Sequence, residues 1–152
     1  VRYRLKPDFE NLSWYGRGPH ETYVDRKQSG RLMVHESTVG AQYVPYILPQ
    51  DHGNLTDVRW LGLHNDRQLG VIVTGHPVFE ASASHYPKES LLDAFHTYEV
   101  APDPHVWLSL DVMQRGLGGA SCGPDTLPPY RLSSGAFSLD YTLALQAPEH
   151  AG

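Results

Sequence analysis

An antiparallel all-β fold built from many short strands is what this sequence predicts, and three features predict it. Apolar residues recur at period two in several stretches, the pattern of a strand with one buried face. Gly, Pro, Asn and Asp punctuate the chain at short intervals, with 14 Gly and 12 Pro in 152 residues, so the stretches between them are strand-sized. Helical spacing is confined to one brief segment. Short strands separated by turns at this density pack as a sandwich or a barrel.

Taken in order, Val1-Arg2-Tyr3-Arg4-Leu5 opens the chain as a strand, and 11–15, 31–39, 44–48 and 57–63 are further strand candidates bounded by turn residues. Residues 69–74 and 78–84 read as two strands joined by a Gly75-His76-Pro77 turn. Pro87 stands near the start of a turn or two of helix over 88–95, where Leu91, Leu92 and Phe95 have helical spacing and a plugging role. After a short strand at 97–100, Val106, Leu108, Leu110 and Val112 alternate with Trp107, Ser109 and Asp111. The clearest alternation comes last: Phe137, Leu139, Tyr141, Leu143 and Leu145 on one face, Ser138, Asp140, Thr142 and Ala144 on the other. No internal repeat or low-complexity segment divides the chain, so 1–152 reads as a single module.

Composition narrows the function classes. Twelve Lys and Arg against 17 Asp and Glu give a net charge of -5, with no basic cluster for a phosphate backbone, so no nucleic-acid partner is expected. No apolar run reaches the roughly 18 residues of a membrane span, and no membrane insertion is expected. The single Cys122 rules out an internal disulfide framework and fits a reducing compartment, which points to the cytoplasm. Because the sequence opens on a strand with neither an initiator methionine nor a signal peptide, and its tail 146–152 reads as a frayed terminus, a missing part is expected upstream.

Four blocks carry a family resemblance. The segment Trp14-Tyr15-Gly16-Arg17-Gly18-Pro19-His20-Glu21-Thr22-Tyr23-Val24-Asp25-Arg26 resembles the W-x-G-x-G-P-x-E-x-Y-x-D-R signature of the β-galactosidase small-chain domain of LacZ-type glycoside hydrolase family 2. Tyr43-Val44-Pro45-Tyr46-Ile47-Leu48-Pro49-Gln50-Asp51-His52-Gly53-Asn54 is similar to that family's next block, with its tyrosines, prolines and closing glycine. Trp107-Leu108-Ser109-Leu110-Asp111 leading to Gly116-Leu117-Gly118-Gly119, and Leu132-Ser133-Ser134-Gly135 before the last strand, resemble the third and fourth blocks. They occur in order over nearly the whole chain.

The resemblance implies an antiparallel β-sandwich belonging to a galactose mutarotase-like supersandwich, of which this chain is the C-terminal half. It implies a parent enzyme that hydrolyses terminal β-D-galactosides of the lactose type. A retaining glycosidase uses two carboxyl groups about 5 to 5.5 Å apart. In this family both are implied to be glutamates on a central (β/α)₈ barrel that this sequence lacks, so the fragment alone is expected to be inactive, with the barrel domain as its partner. An incomplete supersandwich exposes sheet edges, and a homo-oligomer formed through them is a further expectation. The parent is implied to use Mg and Na; no cofactor is assigned to this chain, although backbone carbonyls near Leu48, Pro49, Leu91 and Leu92 are placed to help hold a cation.

The motif residues Trp14, Gly16, Gly18, Pro19, Glu21, Tyr23, Asp25, Arg26, Pro45, Pro49 and Trp107 read as structural. Glu21 and Asp25, four apart on a loop with Arg26 as a ready counter-ion, are better suited to tying loop amides than to catalysis. Gly16 and Gly18 supply positive φ or a close backbone approach, and Trp14 and Trp107 read as core. In the family, the loop after the third block's glycines presents an aromatic platform to the sugar. Counting back from Leu132 puts Cys122 at that platform position in a loop one residue shorter, so Cys122, Ser121 and Gly119 are the candidate substrate-binding rim. A nucleophilic thiol would need a base, and no local residue supplies one. Nine scattered histidines include no H-x-H or H-E-x-x-H, and no metal site is assigned. Two other readings stay open: a stand-alone carbohydrate-binding or protein-interaction module, and a mutarotase-like epimerase built on His85, His96 and Glu99.

Overall fold

The computed structural model describes residues 1–118 and 123–147. Seven strands form one antiparallel sheet: β1 (Arg2–Leu5), β2 (Asn11–Gly18), β3 (Arg31–Thr38), β4 (Leu55–His64), β5 (Gly70–Ser84), β6 (Val106–Asp111) and β7 (Tyr141–Gln146). The order is β1-β6-β5-β4-β2-β3, and β7 pairs with β5. The all-β expectation holds.

The sheet is organised by β5, which is long enough to serve three neighbours. Along one edge it pairs with β4; along the other, Glu80 to Ser84 take β6 and Gly70 to Gly75 take β7. Gly75-His76-Pro77 therefore lies inside one continuous strand and is not the turn between two strands that the sequence suggests. Its proline lacks an N–H, but β6 and β7 leave the ladder between 75 and 80 free, so no partner is lost. Gly75 is required there because a Cβ would stand 2.5 Å from the Phe79 ring. Opposite this point β4 has irregular register between Leu55 and Trp60, with Asp57 at φ 55. Both long strands are thus interrupted at the same level, and the sheet falls into two halves continuous through β4 and β5, consistent with a sandwich.

Period-two patterning puts Leu12, Trp14, Leu61, Leu63, Val71, Val73, Ala81, Ala83, Val106, Leu108 and Leu110 in the core. Register explains why they meet: Trp14 lies opposite Leu61, Leu61 opposite Val73, and Leu108 opposite Ala83, and directly opposed residues share a face. Each such large side chain contributes about 1.5 to 3 kcal/mol by leaving water.

Several expectations need correction. Residues 44–48 form no strand, and 97–100 form a 3-10 turn, Thr97–Glu99. The helix, α1, is only Lys88–Leu92; Leu91 is its buried plug, while Leu92 and Phe95 face solvent. The last strand begins at Tyr141, not 137, and only Leu139 and Tyr141 pack against the core, whereas Leu143 and Leu145 are exposed. Trp107 is not core either. It lies on the opposite face of β6 from Leu108, with the Arg2 and Arg4 guanidinium groups 5.1 and 5.9 Å from its ring.

Truncating Leu61, wholly buried where β2, β4 and β5 meet, is expected to cost about 2 to 5 kcal/mol in urea unfolding. The same change at Leu145, 81% exposed, is expected to shift stability by no more than about 0.5 kcal/mol.

Candidate functional site

The chain leaves β2 through Gly18-Pro19 and turns inward, carrying Glu21 into the interior. Gly18 is fixed by packing, since a Cβ there would stand 2.7 Å from the Trp14 ring. A carboxylate this deep needs donors in place of water. Glu21 has four: the Tyr46 hydroxyl by a short bond, the Gly53 N–H at 2.9 Å, the Tyr23 hydroxyl at 3.2 Å and Arg26 Nη1 at 3.2 Å. Two come from its own motif block and two from the second block, so one side chain ties the blocks together. Burial, reinforced by Glu21, pushes the Tyr46 phenol up to about 12 and the Tyr23 phenol well above its ordinary value. Both hydroxyls stay protonated as donors over the accessible pH range.

Around this knot the loop is pinned again. Thr22 N–H donates to the Asn54 carbonyl at 2.7 Å, and the hydroxyls of Thr22 and Thr56 are 2.8 Å apart. Arg17 reaches across from β2 to Asp57 at 2.5 Å and to the carbonyls of Lys27 and Gly30, both at 3.0 Å. Burial works to raise the Asp57 carboxyl, but bonds from Arg17 and Lys27 together hold it below the ordinary value. An open cleft of about 420 Å³ lies beside Glu21, lined by Pro19, His20, Arg26, Gln42, Val44 and Tyr46.

Asp25 faces elsewhere. Its two oxygens accept the N–H groups of Leu117 at 3.0 Å and Gly118 at 2.8 Å, fastening the glycine-rich segment after β6. Gly116 is needed because a Cβ would meet the Asp25 carboxyl carbon at 2.7 Å, and Gly118 because its φ is +60. The Thr126 hydroxyl donates to the Gly116 carbonyl at 2.8 Å, so the legs of the loop are joined at its base. Gly119, Ser121 and Cys122, the predicted rim, lie outside the described residues.

One functional candidate carried no sequence motif. Glu80, buried on β5, accepts Asn54 Nδ2 and the Gln114 N–H on the same oxygen, each at 2.9 Å. Burial pushes its carboxyl up to about 7, with Asp111 adding repulsion from the opposing position on β6.

The structure brings Glu21, Tyr23, Arg26 and Tyr46 together, sets Asp25 on the glycine-rich segment, and packs Trp14 against His35 at 5.0 Å. Gly16 also sits tightly, with a Cβ position 3.1 Å from Trp14 and Val58. Pro49 is buried and Pro45 exposed. The epimerase triad does not assemble: His96 pairs with Glu99 at 3.2 Å at the cap of a turn, while His85 pairs with Glu10 at 2.7 Å. Among the described residues, no group of three His, Cys, Asp or Glu side chains converges to hold a metal ion, and no helix is long and apolar enough to cross a membrane.

Fold and site together define an antiparallel β-sheet module whose buried carboxylates hold its own loops. The sequence matches the family described as beta galactosidase small chain over residues 1–145, and the chain belongs to that family. It is similar to a beta-galactosidase of Priestia megaterium, 38% identical over 86% of this chain and 13% of the relative. It also resembles the beta-galactosidases of Vibrio cholerae, 35% identical over 93% of this chain and 13% of the relative, and of Kluyveromyces lactis, 31% over 93% and 14%. The chain thus spans about one-eighth of the length of these relatives.

Replacing Glu21 by Ala leaves two phenols, a guanidinium and a backbone N–H without their acceptor, and is expected to cost about 3 to 5 kcal/mol in urea unfolding. Glu80 gives a pH signature. Its folded-state value lies above the ordinary 4.5, so its contribution is fully present below about pH 4.5 and is lost as pH rises through about 7. The urea midpoint of Glu80→Gln is expected to lack this component, gaining on the parent sequence as pH rises from about 5 to about 8.

Proposed function

We propose that this chain is the C-terminal half of the small-chain domain of a β-galactosidase acting on terminal β-D-galactosides of the lactose type. It buttresses the catalytic barrel and shapes the rim of the pocket through the loop at 119–122. The observation that carries this reading is the family match over 1–145, in a chain that spans only 13% of its Priestia megaterium relative. Two features support the rim role: Asp25 fastens the segment running into that loop, and Thr126 closes the loop's base. The catalytic glutamates, and the retaining mechanism they serve, belong to the barrel outside this chain.

The rest of the parent polypeptide is the main partner, and the edges of β1 and β3, which carry no further strand among the described residues, are the places for further strands or for a second copy. The parent's Mg and Na bind mainly outside this chain. Carbonyls near Leu48, Pro49, Leu91 and Leu92 would supply hard oxygen ligands for one cation in the parent. A lone Cys122 supports a reducing compartment, the cytoplasm.

Complementation tests the proposal. The purified chain is expected to turn over no nitrophenyl galactoside alone, and to restore hydrolysis when mixed with the same enzyme truncated before Val1. Saturable sugar binding by the isolated chain, without complementation between folded parts, would instead establish a stand-alone binding module.

A further inference from the structure

The face of the sheet turned away from the core carries an aromatic pair. Trp14 and Leu61 point into the core, so Tyr15 and Trp60, each one position along and directly opposed across β2 and β4, share the outer face. Val34 of β3 and Thr74 of β5 continue this row on either side. Tyr15 is 36% exposed and Val34 51%, while Trp60 is half-buried. The Arg59 guanidinium stands 5.6 Å from the Tyr15 ring and braces it. Tyr15 occupies a position that the W-x-G signature leaves open, and Trp60 belongs to none of the four family blocks.

The next row along the strands is polar. There Glu36, Ser13 and Gly62 lie opposite one another, about 7 Å from the aromatic row. Gly62 puts no side chain on this face between Trp60 and His64, so nothing on β4 walls the two rows apart. An open cleft of about 320 Å³ begins here, lined by Asn11, Ser13, Glu36, His64 and Gln68. Glu36 is in no ion pair among the described residues. His64 Nδ1 lies 3.2 Å from the Asn65 carbonyl, which can only accept, so the neutral ring carries its proton there and presents Nε2 as an acceptor. Asn11 gives its Nδ2 to Asp66 at 3.1 Å and keeps its Oδ1. The cleft is rich in acceptors and suits a ligand rich in donors.

We propose that this face binds a neutral chain of pyranose sugars, one ring stacked on Tyr15 and Trp60 and the next held by its hydroxyls in the cleft. This goes beyond the proposed function and does not rest on it, since complementation decides that reading and sugar retention this one.

A pyranose has an apolar C–H face and a rim of hydroxyls, so it satisfies the rings and the acceptors together. Glu36 repels an anion, and Arg59 beside the ring repels a cation, which leaves a neutral ligand. A wholly apolar partner would bury the Glu36 carboxylate without donors. Because an open sheet face encloses only one side of a sugar chain, affinity per unit is modest and grows with the number of units engaged.

The test is affinity electrophoresis of the full-length enzyme in gels holding galactomannan, a neutral polysaccharide with no β-galactosyl bond to cleave. Isopropyl thiogalactoside, an uncleaved sulfur-linked galactoside, is kept saturating so that the active pocket adds nothing. Mobility is expected to fall as galactomannan rises, and Tyr15→Ala and Trp60→Ala are each expected to weaken retention about tenfold. Glu36→Ala and Gly62→Val act from the cleft side and are expected to weaken it several-fold. The Cβ added at Gly62 meets the Ser13 hydroxyl first, at 3.2 Å, and that hydroxyl can turn away, so the strand is kept. Leu145→Ala, exposed on the opposite face, is expected to change nothing. Retention that is absent in the parent, or unchanged in all four variants of the face, overturns the proposal. So does a smaller particle in light scattering for Tyr15→Ala, which would make the face a contact between copies. Should Trp60→Ala not fold, the other three variants decide.

Discussion

A carboxylate removed from water must be met by donors, and Glu21 imposes this requirement on everything near it. Its four partners come from the turn after β2 and from the long connection before β4, so neither segment reaches its place without the other. The cluster also explains the neighbouring residue types. Two of its donors are phenols whose burial keeps them protonated, so they serve the carboxylate with no charge of their own. Arg17 and Asp57 then close the surface side with a compensated ion pair. Connections that would otherwise wander become part of the interior.

The second constraint is β5. A strand of 15 residues that accepts β4 on one edge and both β6 and β7 on the other joins the two halves of the sheet by backbone hydrogen bonds as well as by side-chain packing. The glycine-rich segment departs from the end of β6, where Glu80 of β5 lies opposite Asp111. The segment offered here as the base of a pocket rim is therefore referenced to the central strand, with Asp25 linking it back to the Glu21 loop.

Much of this was legible in the sequence, and the exceptions have physical reasons. Alternation located β6, turn residues bounded β2 and β4, and Trp14 could be assigned to the core as a large ring at a strand position. Gly75-His76-Pro77 was misread because a kink within a strand and a turn between strands use the same residues. The alternation of 137–145 identified a strand but not its surroundings, since burial of Leu143 and Leu145 needs a covering layer that no described residue provides. Trp107 has the residue type of a core position, but its register puts it on the face where Arg2 and Arg4 stand. Within the site, the motif pointed to Glu21 and Asp25 as loop ties without identifying their partners. Glu80 was invisible for a different reason. It alternates with Phe79 and Ala81 as an outward-facing residue should, and the three-dimensional paths of Asn54 and of the 114–118 segment enclose it.

The pairing of β1 has a consequence for how the chain acquires its structure. Among the described residues this strand pairs with β6 alone, and the Val1 nitrogen lies 2.7 Å from the carbonyl of Leu110, 109 positions away. Closing so long a loop comes before any reward from the contact, which makes assembly of this edge slow compared with the local β2–β3 pairing. During synthesis the first strand must wait until β6 has left the ribosome. Until then Tyr3 and Leu5 lack the β6 strand that seats them, and β1 presents an open edge on the nascent chain.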